Sequence, residues 1–280
     1  MVSSLPIDIS LQNSLPGKNA LFEPFLAREE HCNHLARSWE RQYDKAGIGM
    51  VISGRFDYCS QTGSVTGVPG TIVFGNAGEY FKVHHFDDVD IRRLVVWYDW
   101  AFLELIADAC GLHEPRFPSA ALPPGRMASA MFARMRELVH GWDESEDAAF
   151  SLAQAALTIK HEDHSDQAIS NRDRQRVLSV VNHIEQAYFE PCSVDALANI
   201  SGLSRYHFMR LFKAVTGQSA NQYVINTRLR AAAARITETS APVSAIAFDV
   251  GFNDVSHFNT CFRTMFGRTP RQMRKLARAA

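Results

Sequence analysis

The chain has 280 residues, 46% of them hydrophobic and 21% charged, with a formal net charge of −1. That content supports a real core and excludes a disordered chain, and no run of about 18 apolar residues offers a membrane-spanning helix. The first residues, MVSSLPIDISLQNS, lack the basic start and apolar stretch of a signal peptide, so a cytoplasmic protein is expected. Five cysteines at wide spacing, with no CxxC pair, argue against a disulfide framework. Cys32 and Cys59 are candidates for redox or electrophile sensing, with packed thiols as the alternative.

The low net charge conceals an asymmetry. From Arg172 onward 15 Lys/Arg stand against 7 Asp/Glu, a net of +8; before it the figures are 14 and 23, a net of −9. A basic half joined to an acidic half is the charge pattern of a nucleic-acid module attached to something else.

In chain order, residues 45–100 read as strands. GIGMVISGRFDYCS, SVTGVPGTIVFGN, EYFKVHHF and DIRRLVVWYDW are rich in β-branched and aromatic residues and are punctuated by Gly, Pro, Asn and Asp. They suggest a small sandwich or barrel. Phe56, Tyr58, Phe74, Tyr80, Phe81 and Trp97 can line a pocket, and filling a core is the plainer reading. His84 and His85 are adjacent, so on a strand they point to opposite faces and do not form a metal pair. His31, Cys32 and His34 are close together but lack two further ligands. No metal site, cofactor or catalytic residue is expected.

After Trp100 the pattern turns helical. AFLELIADACG ends at a Gly stop, PRFPSAALPPG reads as an irregular Pro-rich crossing, and helices follow over about 126–142 and 146–160. Met127, Met131, Met135 and Leu138 form one stripe and Leu152, Ala155, Ala156 and Ile159 another. Both read as core, with a dimer seam as the alternative. Residues 160–171 are polar and read as a linker. Beyond them a helix is predicted over 172–189, with Val177, Val180, Val181 and Ile184 inward, and a long helix over about 220–237.

An approximate repeat occupies this last part. Val194, Leu197, Ala198 and Gly202 recur as Val243, Ile246, Ala247 and Gly251; after a one-residue insertion, His207, Phe208, Phe212, Lys213 and Gly217 recur as His257, Phe258, Phe262, Arg263 and Gly267. Each copy reads as helix, Gly turn, helix, the pattern of a helix-turn-helix whose second helix enters a DNA major groove. Gly202 and Gly251 are expected in a left-handed conformation, and Ser193, Ser204 and Asn253 as N-caps. Phe208, Leu211 and Phe212, and likewise Phe258, Cys261 and Phe262, fall on the buried faces. The remaining faces carry Arg205, Tyr206, Met209, Arg210 and Lys213 in the first unit. In the second they carry Asp254, Val255, Ser256, Asn259, Thr260 and Arg263.

The stretches IAFDVGFNDVSHFNTCFRTMFGRTPRQMRK and LANISGLSRYHFMRLFKAVTG resemble the AraC/XylS family of bacterial transcription regulators. The resemblance covers about residues 174–276. It implies an α+β two-domain protein: a cupin-like N-terminal β-barrel with trailing helices over 1–165, a linker at 166–171, and an all-α seven-helix DNA-binding domain over 172–280. The helix-turn-helix units would span about 194–215 and 243–266 and read two adjacent major grooves of double-stranded DNA. By position, Tyr206, Met209 and Arg210 face bases in the first unit, with Arg210 suited to pairing with guanine, and Ser256, Asn259 and Thr260 take those places in the second. Val255 and Thr260 depart from the Gln and Arg that family members often carry there. The second unit is therefore expected to lean on phosphate contacts through Arg263 and Arg268, or on a thymine methyl at Val255. His207 and His257 are phosphate donors or packing residues.

The partners implied are DNA, a small-molecule effector of unknown identity, RNA polymerase, and a second copy of the chain. The function implied is transcription regulation, in the direction of activation. Two alternatives stand beside it: a regulator whose N-terminal domain only dimerises or binds a protein, and a cupin enzyme with a DNA-binding tail.

Overall fold

The computed structural model describes residues 23–32, 38–86, 91–142, 145–159 and 169–279. His34 and residues 160–168 of the expected linker lie outside the described residues, as does the N-terminal stretch. The N-terminal part is β-rich. Among the described residues nine strands run as β1 (Phe25–Cys32), β2 (Ser38–Gln42), β3 (Ala46–Ser53), β4 (Phe56–Ser60), β5 (Gly63–Gly67), β6 (Ile72–Gly75), β7 (Tyr80–His85), β8 (Ile91–Tyr98) and β9 (Ala121–Leu122). Strands β1 and β2 precede the region expected to be extended, and β9 lies inside the segment read as irregular. The described strands pair antiparallel into a five-stranded sheet, β1-β8-β3-β6-β9, and a four-stranded sheet, β2-β7-β4-β5, without closing into a barrel.

Alternation along the strands builds three layers. On β3, Ala46, Ile48 and Met50 join Ile72, Phe74, Leu94, Val96 and Tyr98 on the face that packs against helices α1 (Trp100–Ala109), α2 (Arg126–Val139) and α3 (Glu146–Leu157). Gly47, Gly49 and Val51 face the other way, toward Phe56, Tyr58 and Phe81 of the second sheet. The same alternation separates His84, exposed, from His85, buried. It also corrects the aromatic set: Phe74 lies on the helix side and Tyr80 is exposed, so neither lines the space between the sheets. Met131, Met135 and Leu138 of the α2 stripe are buried in the core, whereas Met127 is exposed.

The described residues of the C-terminal part form seven helices: α4 (Asn171–Ala187), α5 (Val194–Ser201), α6 (Arg205–Thr216), α7 (Ala220–Glu238), α8 (Val243–Asp249), α9 (Val255–Phe266) and α10 (Pro270–Ala279). Val177, Val180, Val181 and Ile184 of α4 pack with Leu197, Phe208, Phe212 and Tyr223 as the core of the first unit. Phe258, Phe262 and Phe266 pack with Ile246, Leu229 and Ile236 in the second. No helix among the described residues is long and apolar enough to cross a membrane.

Candidate nucleic-acid interface

The first unit begins where Ser193 caps α5, its hydroxyl accepting from the Ala196 amide at 3.1 Å. Helix α5 stops at Gly202, which is left-handed (φ 64°, ψ 31°) and lets the Leu203 amide bond back to the Ala198 carbonyl. The chain re-enters a helix at Ser204, whose carbonyl accepts from the Phe208 amide at 2.8 Å; its side chain makes no capping bond. Phe208, Leu211 and Phe212 are buried, which turns Arg205, Tyr206, Met209, Arg210 and Lys213 outward, all exposed. Arg205 is drawn toward Asp195 at 3.2 Å, a solvated pair that contributes little to stability.

The second unit repeats the plan with one extra residue in its turn. Gly251 has φ 97°. Asp254 rather than Asn253 is the N-cap of α9, its Oδ1 accepting from the Ser256 amide at 2.7 Å. Asn253 is the inserted residue, so Asp254 is the true counterpart of Ser204. A carboxylate there also suits the positive end of the helix. Ser256, Asn259, Thr260 and Arg263 are exposed, and Val255 is half-buried.

Four residues make contacts that the sequence did not show. The Thr260 hydroxyl donates to the Ser256 carbonyl at 3.0 Å, so its hydrogen is committed to the helix backbone. Cys261 is half-buried, its Sγ 3.3 Å from His257 Nε2, and burial pushes its thiol pKa up, the opposite of an activated thiolate. His257 also meets the Phe252 ring edge-on at 5.7 Å, which is a packing contact. Arg268 stands apart from the exposed set: its Nε donates to Glu137 of α2 at 2.7 Å, so in this structure it faces the N-terminal part.

Between the two sheets lies a second feature. Tyr43, Phe56, Tyr58, Phe81, Val95, Trp97 and Arg93 surround a space of about 30 Å³ over a floor of Gly47, Gly49 and Gly75 (room for one or two waters). The Trp97 ring lies directly on Gly47, where an added Cβ would fall 2.5 Å from Cε3. Polar groups are paired there. Tyr58 donates to the Phe74 carbonyl at 3.1 Å and lies 3.1 Å from the Tyr43 hydroxyl. Glu30 receives Arg28, Arg93 and Trp97 at 2.7–2.9 Å. Burial raises the Glu30 pKa, but Arg93 and the hydrogen bonds from Trp97 and Arg28 outweigh it, so the carboxyl sits below its usual 4.5. The strand pattern in the sequence begins only at residue 45, so nothing in it singles out Arg28, Glu30 or Tyr43. Among the described residues no group of three His, Cys, Asp or Glu could hold a metal ion.

Two exposed, cation-bearing helices, each presented by a Gly turn and joined by one long helix, define a helix-turn-helix DNA-binding regulator. Comparison with known proteins agrees. A helix-turn-helix domain family matches residues 197–276. Regulatory protein SoxS of Salmonella typhimurium is 32% identical over 101 residues, 36% of this chain and 94% of that protein. Multiple antibiotic resistance protein MarA of the same organism is 28% identical over 104 residues, 37% of this chain and 82% of that protein. An AraC-type transcriptional regulator structure from Chromobacterium violaceum is 31% identical, with a TM-score of 0.36, and the match covers 37% of this chain and 93% of that one. The chain belongs to the AraC/XylS family of transcription regulators.

Proposed function

We propose that the chain is an effector-responsive transcription activator. Residues 172–280 would form its DNA-binding domain, with α6 and α9 reading two adjacent major grooves. The observation that supports this most directly is the matched exposure of Arg205, Tyr206, Met209, Arg210 and Lys213 on α6 and of Ser256, Asn259, Thr260 and Arg263 on α9. Arg210 is assigned the strongest base contact, because its guanidinium makes no ion pair among the described residues and can meet guanine through two bonds. Lys213 and Arg263 are assigned to phosphate.

The effector reading belongs to the N-terminal part, which we take as a variant of the cupin-like architecture. Its inter-sheet space combines aromatic walls, a glycine floor and the Glu30–Arg93 pair, the mixture of apolar surface and few convergent polar groups found in small-molecule sites. At about 30 Å³ it would have to widen, by swinging Trp97 or Tyr43, to admit a ligand. Selection of duplexes from a random pool by the full chain tests the first part, and enrichment of two elements on one face of the duplex is expected. A thermal-shift screen against small metabolites, repeated on Gly49→Leu to fill the space, tests the second. A ligand that stabilises both proteins equally binds elsewhere. The direction of regulation is read from a reporter behind the selected site, where activation through RNA polymerase raises output.

A further inference from the structure

We propose that residues 120–139 are a positioning strap that sets the spacing between the two recognition helices. The inference rests on the two-groove reading above. At its start the strap is tied to the wall of the inter-sheet space. The Phe74 amide donates to the Ala120 carbonyl at 2.9 Å, and β9 pairs with β6 through Ala121–Val73 and Leu122–Ile72. Just upstream, Asn76 accepts from the Phe117 amide at 2.7 Å and donates to its carbonyl at 3.1 Å. Strand β6 itself supplies Val73 and Gly75 to that wall.

The strap then touches both recognition helices at their C-terminal ends. Pro123 lies on Gly217, the residue that ends α6. A Cβ at Gly217 would fall 2.5 Å from the Pro123 Cβ, so only glycine allows the approach, and its φ of 75° demands glycine as well. A few residues on, Phe132 of α2 meets Phe266, the last residue of α9, with ring centroids 5.6 Å apart. Glu137 holds Arg268 just beyond that end. Glu137 is only 14% exposed while Arg268 is 32% exposed, so the carboxylate end of the pair is shielded from water, and removing it would leave Arg268 without this partner.

Helix α7 joins the two units, and the Gly251 turn of the second rests on the chain leaving α4 of the first. Both of those links lie away from the C-terminal ends of α6 and α9; the strap adds a separate one that ties those two ends to a single element. One base pair moves the second groove by about 3.4 Å along the duplex axis, together with a rotation about that axis. A tether that fixes both helix ends therefore discriminates between operators that differ only in spacing.

The test uses the full chain, a random duplex pool, and synthetic duplexes built from the enriched sequence with one or two base pairs inserted between its two elements. The wild type should lose about tenfold or more in affinity per insertion, comparable to a mismatched base pair. Glu137→Gln and Pro123→Gly, which removes the Cβ that lies on Gly217, should each shrink that penalty severalfold while leaving the base preferences within each element unchanged. Glu137→Asp, which keeps the carboxylate, should restore most of it. Melting curves confirm folding, and Pro123→Gly carries the test if Glu137→Gln does not fold. Two enriched elements with the same spacing penalty in folded variants overturn the strap and leave the two-groove reading standing. Enrichment of a single element, or of none, overturns both.

Discussion

Gly251 stands against Phe189: a Cβ placed on Gly251 would fall 2.8 Å from the Phe189 carbonyl oxygen. The same Cβ would lie 2.9 Å from the Arg228 guanidinium, which donates to the Tyr188 and Glu190 carbonyls at 2.7 and 2.9 Å. The turn of the second unit is thus pressed onto the end of α4, and Gly251 is needed both for its φ of 97° and for space. Gly251→Val should lower stability by about 1–3 kcal/mol from backbone strain, with the steric clash adding to it. Gly202→Val meets nothing within 4 Å and should cost less, through φ alone. Urea melts of the two variants check the order, and equal losses would show that the Phe189 contact yields freely.

The two recognition helices should contribute unequally. Arg210→Ala should cost about 1–3 kcal/mol of base discrimination and relax preference at one position. Thr260→Ala should do less, since the hydroxyl proton is already given to the Ser256 carbonyl. Arg263→Ala should weaken selected and random duplexes alike, because phosphate contacts carry no direct sequence information. Titrations of the three variants at one salt concentration decide it. A larger loss of specificity for Thr260→Ala would make the second unit the principal reader.

Binding should fall steeply with salt. If Arg205, Arg210, Lys213, Arg263 and their neighbours neutralise about six phosphates, log K should drop by roughly 5 per tenfold rise in salt. Fluorescence anisotropy on a random duplex gives the slope. A slope near zero would remove the cationic faces from the interface.

The Glu30 cluster predicts a pH dependence. The folded state holds this carboxyl below the 4.5 of the free group, with burial opposing and Arg93, Trp97 and Arg28 prevailing. The stabilisation is therefore complete above about pH 4.5 and is lost as pH falls through the lower native value. Glu30→Gln should cost about 1.5–3 kcal/mol at neutral pH, the scale of hydrogen bonds to a charged group, and the gap from wild type should close on acidification. Denaturant melts from pH 7 down to about pH 3 would show the two curves converging. Parallel curves would mean that Glu30 titrates alike in both states.

Reading the site from sequence worked where the signal was local. The α6 and α9 faces follow from a 3.6-residue period in which Phe208, Leu211 and Phe212, or Phe258 and Phe262, fix one side and leave the other. Gly202 announced its turn because a left-handed residue is a property of one position. The Asn253 cap was misassigned by one place, since an inserted residue shifts the alignment without altering the pattern around it. Strands β1 and β2 were missed for a different reason. Arg28 and Glu30 occupy the inward face of β1, where alternation leads one to expect apolar residues. They are tolerated there because Arg28 pairs with Glu30, and Arg93 and Trp97 of the neighbouring strand β8 complete the bonds of the carboxylate.

By itself the sequence determined that the chain carries two helix-turn-helix units on a basic C-terminal half, because helix period, glycine turns and charge are written within short windows. Tertiary structure decided what those units rest on. Residues 120–139 looked like a Pro-rich crossing followed by an amphipathic helix, and nothing within them named Gly217, Phe266 or Arg268 as partners. Those contacts join residues 94 to 134 positions apart. They exist only because β9 is pinned to β6 and α2 is laid across the face of the sheet, and such pairings depend on how separate surfaces fit rather than on any local preference of the chain.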